Sequence, residues 1–248
     1  SSAASDVYKR QRGDVSSQYI SGLLLALSLL EGESRIRLTT PLQSKSYVEL
    51  TRASLSAFGG ESQWMGQDTI LVKPRRLKAA DVTIEGDYTH ASLFLAAGAV
   101  YGPVTVTGLD PGSIQGDRAM LSILDRMGAR VDMGGGSVTV SPGRLRGIDV
   151  DVSDTPDLAP AIALAALAAE GSTVVKKGGR LRFKECDRIS AIATELKRLG
   201  ADIDEAPDGF TIRGGGKLHG AACLCHNDHR IAMLLIMAAG LCGGIELN

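Results

Sequence analysis

Four stretches made almost wholly of small and apolar residues recur along the chain at a nearly constant spacing. They are SQYISGLLLALSLL from Ser17, THASLFLAAGAVYG from Thr89, DLAPAIALAALAAEG from Asp157 and DHRIAMLLIMAAGL from Asp228, with starts 72, 68 and 71 residues apart. Each opens on Ser, Thr or Asp, whose side-chain oxygen can accept from the orphan amides of a first helical turn. Apolar all round, these segments predict buried helices. A second, amphipathic kind alternates with them: YVELTRASLSAFGG, GDRAMLSILDRMGA and DRISAIATELKRLGA. Their closing glycines, Gly59, Gly128 and Gly200, lie 69 and 72 residues apart and predict left-handed helix caps. The segments that follow, ESQWMGQDTILVKP, RVDMGGGSVTVSP and DIDEAPDGFTIRG, read as β-hairpins around Gly or Asp-Gly. Apolar helix, strand, amphipathic helix and hairpin thus repeat about three and a half times, which means one supersecondary unit reused.

Composition narrows what such a chain can do. With 248 residues, 44% of them hydrophobic, it can build one large domain or two ordinary ones. A net charge of -1 and 4% aromatic residues offer neither a basic face nor stacking platforms, so nucleic acid is not expected as a partner. The longest apolar run, from Ile231, falls short of the roughly 18 residues of a membrane span, and no signal-peptide pattern opens the chain, so no membrane association and a cytoplasmic location are expected. Four unevenly spaced cysteines, Cys186, Cys223, Cys225 and Cys242, suit reduced thiols better than a disulfide framework. Residues 1–11, SSAASDVYKRQ, share no pattern with the rest; they read as a non-native leader and are set aside from the fold. The terminal GGIELN stops just after a helix, as though the chain were cut at both ends.

The candidate chemistry lies at helix starts. Free amides and the dipole's positive end make a helix N-terminus attractive to anions. In RFKECDRIS, Arg182 and Lys184 lie two apart, on one side if that part is extended, and Arg188 follows in the first helical turn. Three like charges at a positive helix end are electrostatically poor unless a multiply charged anion completes them. NDHRIAM adds Arg230 behind the cap residue Asp228, and RGDVSSQYI offers Ser16, Ser17 and Gln18 as uncharged donors. One such start alone reads equally as a solvated first turn with surface ion pairs. Their recurrence at corresponding places in a repeat favours a shared anion site. Asp157, heading an apolar helix, and Glu185, among the cations, supply acid–base capacity, although Asp157 reads as well as a simple cap. CLCHNDH gathers Cys223, Cys225, His226 and His229, yet no second ligand pair matches it elsewhere, so no metal is expected. Cys186 has no nearby histidine to activate it as a nucleophile.

Together, GDVSSQ at 13–18, SKSYVELT at 44–51, EGDYTHASLFLAA at 85–97, QGD at 115–117, PD at 156–157, LRFKECDRI at 181–189 and NDHRIAM at 227–233 resemble the EPSP synthase family, the 3-phosphoshikimate 1-carboxyvinyltransferases. The resemblance runs from Arg12 to the end. It implies an α/β (α+β) fold of repeated βαβαββ units in an inside-out α/β barrel, six units in two domains, of which about three and a half are present. Six units of roughly 70 residues need roughly 420, so the chain is similar to the C-terminal portion of such an enzyme. Residues 12–84 would end the N-terminal domain and 85–248 form most of the C-terminal one, with the crossing near Glu85.

The implied reaction moves the enolpyruvyl group of phosphoenolpyruvate to the 5-hydroxyl of shikimate 3-phosphate, releasing phosphate, in the shikimate pathway of aromatic amino-acid biosynthesis, with no metal or organic cofactor. Both substrates are small molecules, and the protein would be a monomer. By motif, Asp157 resembles the family's general base at the 5-hydroxyl and Glu185 the acid that protonates the enolpyruvyl carbon. Ser16, Ser17, Gln18, Ser44, Asp157 and Lys184 match shikimate-phosphate contacts, with Gln18, Arg188 and Arg230 matching phosphoenolpyruvate contacts. Arg180 stands where some members carry an asparagine, His90 replaces a small residue, and Cys186 a serine or threonine. The family's N-terminal lysine and arginines and its C-terminal KSFP lysine have no counterpart, which implies that the chain alone turns over poorly. A UDP-N-acetylglucosamine enolpyruvyl transferase and a non-catalytic anion-binding module are the alternatives.

Overall fold

The element order βαβαββ is laid down in full twice. The first copy runs β1 (Val7–Gln11), α1 (Ser17–Leu27), β2 (Ser34–Leu38), α2 (Lys45–Ala57), β3 (Glu61–Met65) and β4 (Thr69–Lys73). The next repeat begins at its first helix, with α3 (Tyr88–Val100), β5 (Val104–Thr107), α4 (Ala119–Met127), β6 (Arg130–Gly134) and β7 (Ser137–Ser141). A second complete copy follows as β8 (Asp149–Asp151), α5 (Ala159–Ala168), β9 (Ser172–Lys176), α6 (Arg188–Arg198), β10 (Asp202–Ala206) and β11 (Gly209–Arg213). The last repeat contributes β12 (Ala221–Cys223), α7 (His229–Cys242) and β13 (Ile245–Leu247). The computed structural model describes residues 7–248. It forms two compact units, one running to Ile84 and taking in Ile114–Gly116, the other Glu85–Ser113 with Asp117–Asn248.

Both complete copies build the same sheet. In the first unit the strand order is β1-β2-β4-β3, with β1 parallel to β2 and the rest antiparallel. In the second unit β8-β9-β11-β10 repeats that order and those directions. A three-stranded sheet β5-β7-β6 and the parallel pair β12-β13 complete the second unit. The sheets stay open, and no closed barrel forms among the described residues.

Part of the segment that the sequence sets aside belongs to the fold. Val7–Gln11 pairs in parallel with Ser34–Leu38, from Val7 opposite Ser34 to Gln11 opposite Leu38. The strand lies at the sheet edge and its three central residues are exposed, so burial imposes no hydrophobic alternation that sequence could reveal. Residues 1–6 of that segment lie outside the described residues.

The apolar helices do form cores, although α1 and α7, against their predicted burial, are buried on one side only. In the second unit α3, α5 and α7 pack on one another, and nearly every residue of α5 is buried. Their small residues permit close approach: a Cβ on Gly98 of α3 would sit 2.8 Å from the Val140 carbonyl of β7. In the first unit α1 buries only Ser17, Ile20, Leu24 and Leu27. Tyr19, Leu25, Leu29 and Leu30 remain exposed. The amphipathic helices end as expected, with Gly59, Gly128 and Gly200 at φ of +83°, +104° and +85°. The third hairpin turns through Pro207 and Asp208, with Ala206 paired to Gly209, so Asp-Gly straddles the strand start there instead of forming the turn. No helix of the described residues is long and apolar enough to cross a membrane.

Candidate anion-binding and acid–base site

Parallel strands carry the chain to the same end of a sheet, and the helices that follow therefore start side by side. In the second unit β8 leads to Asp157 and α5, while its parallel neighbour β9 leads to Lys184, Glu185 and α6. Asp157 sits inside a short 3₁₀ turn, Pro156–Leu158, and makes no capping bond; the N-cap position, Thr155, makes none either. The cap reading of Asp157 gives way to an ionic one. Its carboxylate accepts from Arg188 Nη1 at 2.7 Å and lies 3.1 Å from Lys184 Nζ.

Arg188 is the centre of the arrangement. Its side chain is only 1% exposed, and each of its three nitrogens has a carboxylate. Nη1 donates to Asp157, Nη2 to Glu185 Oε2 at 2.6 Å, and Nε to Asp228 Oδ2 at 2.7 Å. Asp228 also caps α7, accepting from the Arg230 amide at 2.8 Å. Lys184 and Arg188 thus pair with Asp157, Glu185 and Asp228, while Arg230 meets Asp228 through its backbone amide and acts on Asp157 through its charge. The sequence reads these cations as uncompensated until an anion arrives; the structure compensates Lys184 and Arg188 with carboxylates brought in from three helix starts. The pairing crosses 31 and 40 residues of sequence, which local spacing cannot disclose.

Arg182 departs from the expected cluster. Gly179–Phe183 forms a 3₁₀ helix, not an extended run, so side chains two apart diverge instead of sharing a side. Arg182 turns to the β10–β11 hairpin, donating to the Ala206 and Pro207 carbonyls and pairing with Asp187 and Glu205. Asp187 in turn caps α6, accepting from the Ser190 amide at 3.0 Å. Arg180 lies in the same 3₁₀ turn.

Electrostatics sets the protonation of the cluster. Burial alone would raise the Asp157 pKa, but Lys184, Arg230 and Arg188 outweigh it and hold the carboxyl below the usual range. For Asp228 burial is again outweighed, here by Arg188 and the Arg230 amide. Burial, reinforced by Asp228, pushes the Cys186 thiol up to about 11, which leaves it a poor nucleophile. Asp157 and Asp228 are nearly enclosed, whereas the Glu185 side chain is 49% exposed and is tied only to Arg188. Glu185 is therefore the member best able to swing aside for an incoming anion.

The first unit offers the equivalent corner. β1 leads to α1 and its parallel neighbour β2 leads to α2. Ser16 caps α1, its hydroxyl accepting from the Gln18 amide at 3.2 Å, while Ser17 is buried and Gln18 exposed. Ser44, buried at the start of α2, holds a left-handed backbone at φ +50° and its hydroxyl does not cap the helix. The two loops are stitched together by the Gln43 amide on the Gly13 carbonyl and by the Gly13 and Asp14 amides on Thr40 Oγ1. The structure therefore gathers Ser16, Ser17, Gln18 and Ser44 in one unit, and Asp157, Lys184, Glu185, Arg188 and Arg230 in the other.

Among the described residues no three His, Cys, Asp or Glu side chains form a group able to hold a metal ion. Cys223 is buried in β12, and His226 is engaged by Glu195 at 2.8 Å. Sequence reasoning took Asp228 for a cap alone and missed it as the deepest partner of Arg188; the Asp-His-Arg order gives a signal only for the cap.

Comparison with known proteins adds an independent line. The description "EPSP synthase (3-phosphoshikimate 1-carboxyvinyltransferase)" matches residues 9–248. A 3-phosphoshikimate 1-carboxyvinyltransferase of Clostridium novyi is 39% identical over 232 residues, covering 93% of this chain and 53% of that protein. One from Methanocaldococcus jannaschii is 41% identical over 229 residues, covering 92% and 53%. Among solved structures, EPSP synthase from Acinetobacter baumannii superposes with a TM-score of 0.80 at 29% identity, covering 97% of this chain and 58% of that one. The enolpyruvyl transferase NikO from Streptomyces tendae follows at 0.72 and 25% identity, covering 96% and 56%. The chain spans about half the length of the curated relatives it matches.

Proposed function

Since the chain belongs to the EPSP synthase family, we propose that it supplies the acid–base part of an enzyme that moves the enolpyruvyl group of phosphoenolpyruvate to the 5-hydroxyl of shikimate 3-phosphate. On this reading the product belongs to the shikimate pathway, the protein works as a cytoplasmic monomer, and residues 12–84 end the N-terminal domain while 85–248 form most of the C-terminal one. The observation that carries the proposal is Arg188, one buried guanidinium holding Asp157 and Glu185 on separate nitrogens.

The chemistry assigns each carboxyl a task. The 5-hydroxyl oxygen bonds to C2 of phosphoenolpyruvate as its proton passes to Asp157. Glu185, as the acid, gives a proton to the methylene carbon, which leaves a tetrahedral adduct. The Glu185 carboxylate then takes a proton back from the methyl carbon as the C–O bond to phosphate breaks, which releases phosphate and restores the double bond. Arg188 and Arg230 suit the carboxylate and phosphate of phosphoenolpyruvate, since forked donors match both groups. Lys184 with Ser16, Ser17, Gln18 and Ser44 would serve shikimate 3-phosphate. The depressed Asp157 pKa fits this scheme, because substrate anions that engage Lys184, Arg188 and Arg230 relieve the field that depresses it. A base too weak at rest becomes competent when both substrates are present.

The test is acceptor choice. The chain is assayed with phosphoenolpyruvate, joined to the part of a relative that it does not span, and offered shikimate 3-phosphate or UDP-N-acetylglucosamine. Enolpyruvyl transfer to the first is expected; transfer only to the second, or to neither, overturns the proposal.

A further inference from the structure

Two helical turns beyond Arg188, on the same face of α6, lies Glu195. It too has a side chain only 1% exposed, and a buried carboxylate needs partners to offset its desolvation. It finds them in the loop that leads into α7. Oε2 accepts from the Leu224 amide at 3.1 Å, and Oε1 meets His226 Nε2 at 2.8 Å. Arg198, one turn further along α6, lies 3.5 Å away. The loop so held is unusual: His226 and Asn227 are consecutive non-glycine residues in left-handed backbone, at φ +52° and +53°. Such conformations persist where the surroundings over-determine them. The next residue is Asp228, which caps α7 and takes Arg188 Nε.

We infer that Glu195 is a positioning residue, which clamps the strained 224–227 turn to α6 so that Asp228 meets Arg188 and Arg230 is presented at the start of α7. The helix α6 then grips the leader of α7 twice, through Arg188 at the site and through Glu195 seven residues along. The effect on phosphoenolpyruvate rests on the function proposed above; the positioning does not.

The test uses this chain in solution with three variants. Glu195→Ala removes both ties, and Glu195→Gln keeps an acceptor for the Leu224 amide and an amide for His226. Leu196→Ala, fully buried on the same helix, is a control for destabilisation alone. Amide exchange at Arg230 and the Arg188 Nε–H resonance report on positioning without ligand, and calorimetric titration of phosphoenolpyruvate reports its consequence. Glu195→Ala is expected to speed Arg230 exchange at least tenfold, shift the Arg188 resonance and weaken phosphoenolpyruvate at least fivefold, with Glu195→Gln recovering most of each. Leu196→Ala should lower the thermal midpoint and leave the other readouts in place. Should Glu195→Ala fail to fold, His226→Asn keeps a residue tolerant of left-handed backbone, loses the reach to Glu195, and is expected to shift the same readouts in the same direction. Unchanged Arg230 exchange and Arg188 resonance in the folded variants overturn the inference. If those respond while the unmodified chain binds no phosphoenolpyruvate, the positioning stands and the proposed substrate falls.

Discussion

A lone buried arginine would be among the costliest residues in a core, and Arg188 is tolerable only because three carboxylates surround it. Replacing it exposes that dependence. Arg188→Met should destabilise the second unit by about 3–5 kcal/mol, since Asp228 loses its buried ion-pair partner and Asp157 keeps only Lys184. Urea unfolding checks the size of the loss, and pH checks its cause. In the native protein both carboxyls are held below their ordinary pKa, so their contribution is complete above about pH 4 and lost as pH falls through the lowered values. In Arg188→Met the chief partner holding Asp228 down is gone and burial raises its pKa, so for that group the sign reverses: acidification from pH 7 to 5 should return stability to the variant and not to the parent. The residue types of this cluster were legible in the sequence, because acids and bases crowd the helix starts. Their partners were not, since no spacing rule links residues 157, 188 and 228.

Helices and hairpins were the most legible scale, because period and punctuation are local. The glycine closing α4 shows the strength of that signal: it sits at φ +104°, and a Cβ there would lie 2.5 Å from the Arg144 carbonyl. Gly128→Ala should therefore cost about 1–3 kcal/mol, measured as a lowered urea midpoint with unchanged slope. Where an element's surroundings decide its form, local reading failed. Gly179–Phe183 winds into a 3₁₀ turn that sends Arg182 to Glu205 and Asp187, and nothing in RLRFK distinguishes that from an extended approach. The edge strand Val7–Gln11 went unseen because its side chains stay largely exposed. Helix α1 carries both lessons, being apolar all round yet buried on one side. Leu24→Ala should cost about 2–5 kcal/mol, while Leu29→Ala, at a position 72% exposed, should change stability by less than about 0.5 kcal/mol in the same unfolding assay.

Across the whole molecule one rule places the chemistry. A parallel pair of strands delivers two helix starts to one sheet end: the serines and Gln18 follow β1 and β2, and Asp157, Lys184, Glu185 and Arg188 follow β8 and β9, with Asp228 and Arg230 added at the start of α7 after β12. The period of about seventy residues made that repetition visible beforehand, and the family's motifs fall on the same corners. What the repeat could not reveal is the resting state of the site, in which carboxylates occupy Lys184 and Arg188, cations that the substrates' anionic groups would engage. The central claim is that Asp157, held by Arg188 and Lys184, is the base of enolpyruvyl transfer. Its most direct test is single-turnover product formation from phosphoenolpyruvate and shikimate 3-phosphate, by the chain joined to the part of a relative it does not span, with Asp157 or with Asp157→Asn. A loss of about 10²–10⁴-fold in rate with both substrates still bound is the predicted result; an unchanged rate in Asp157→Asn would contradict the account.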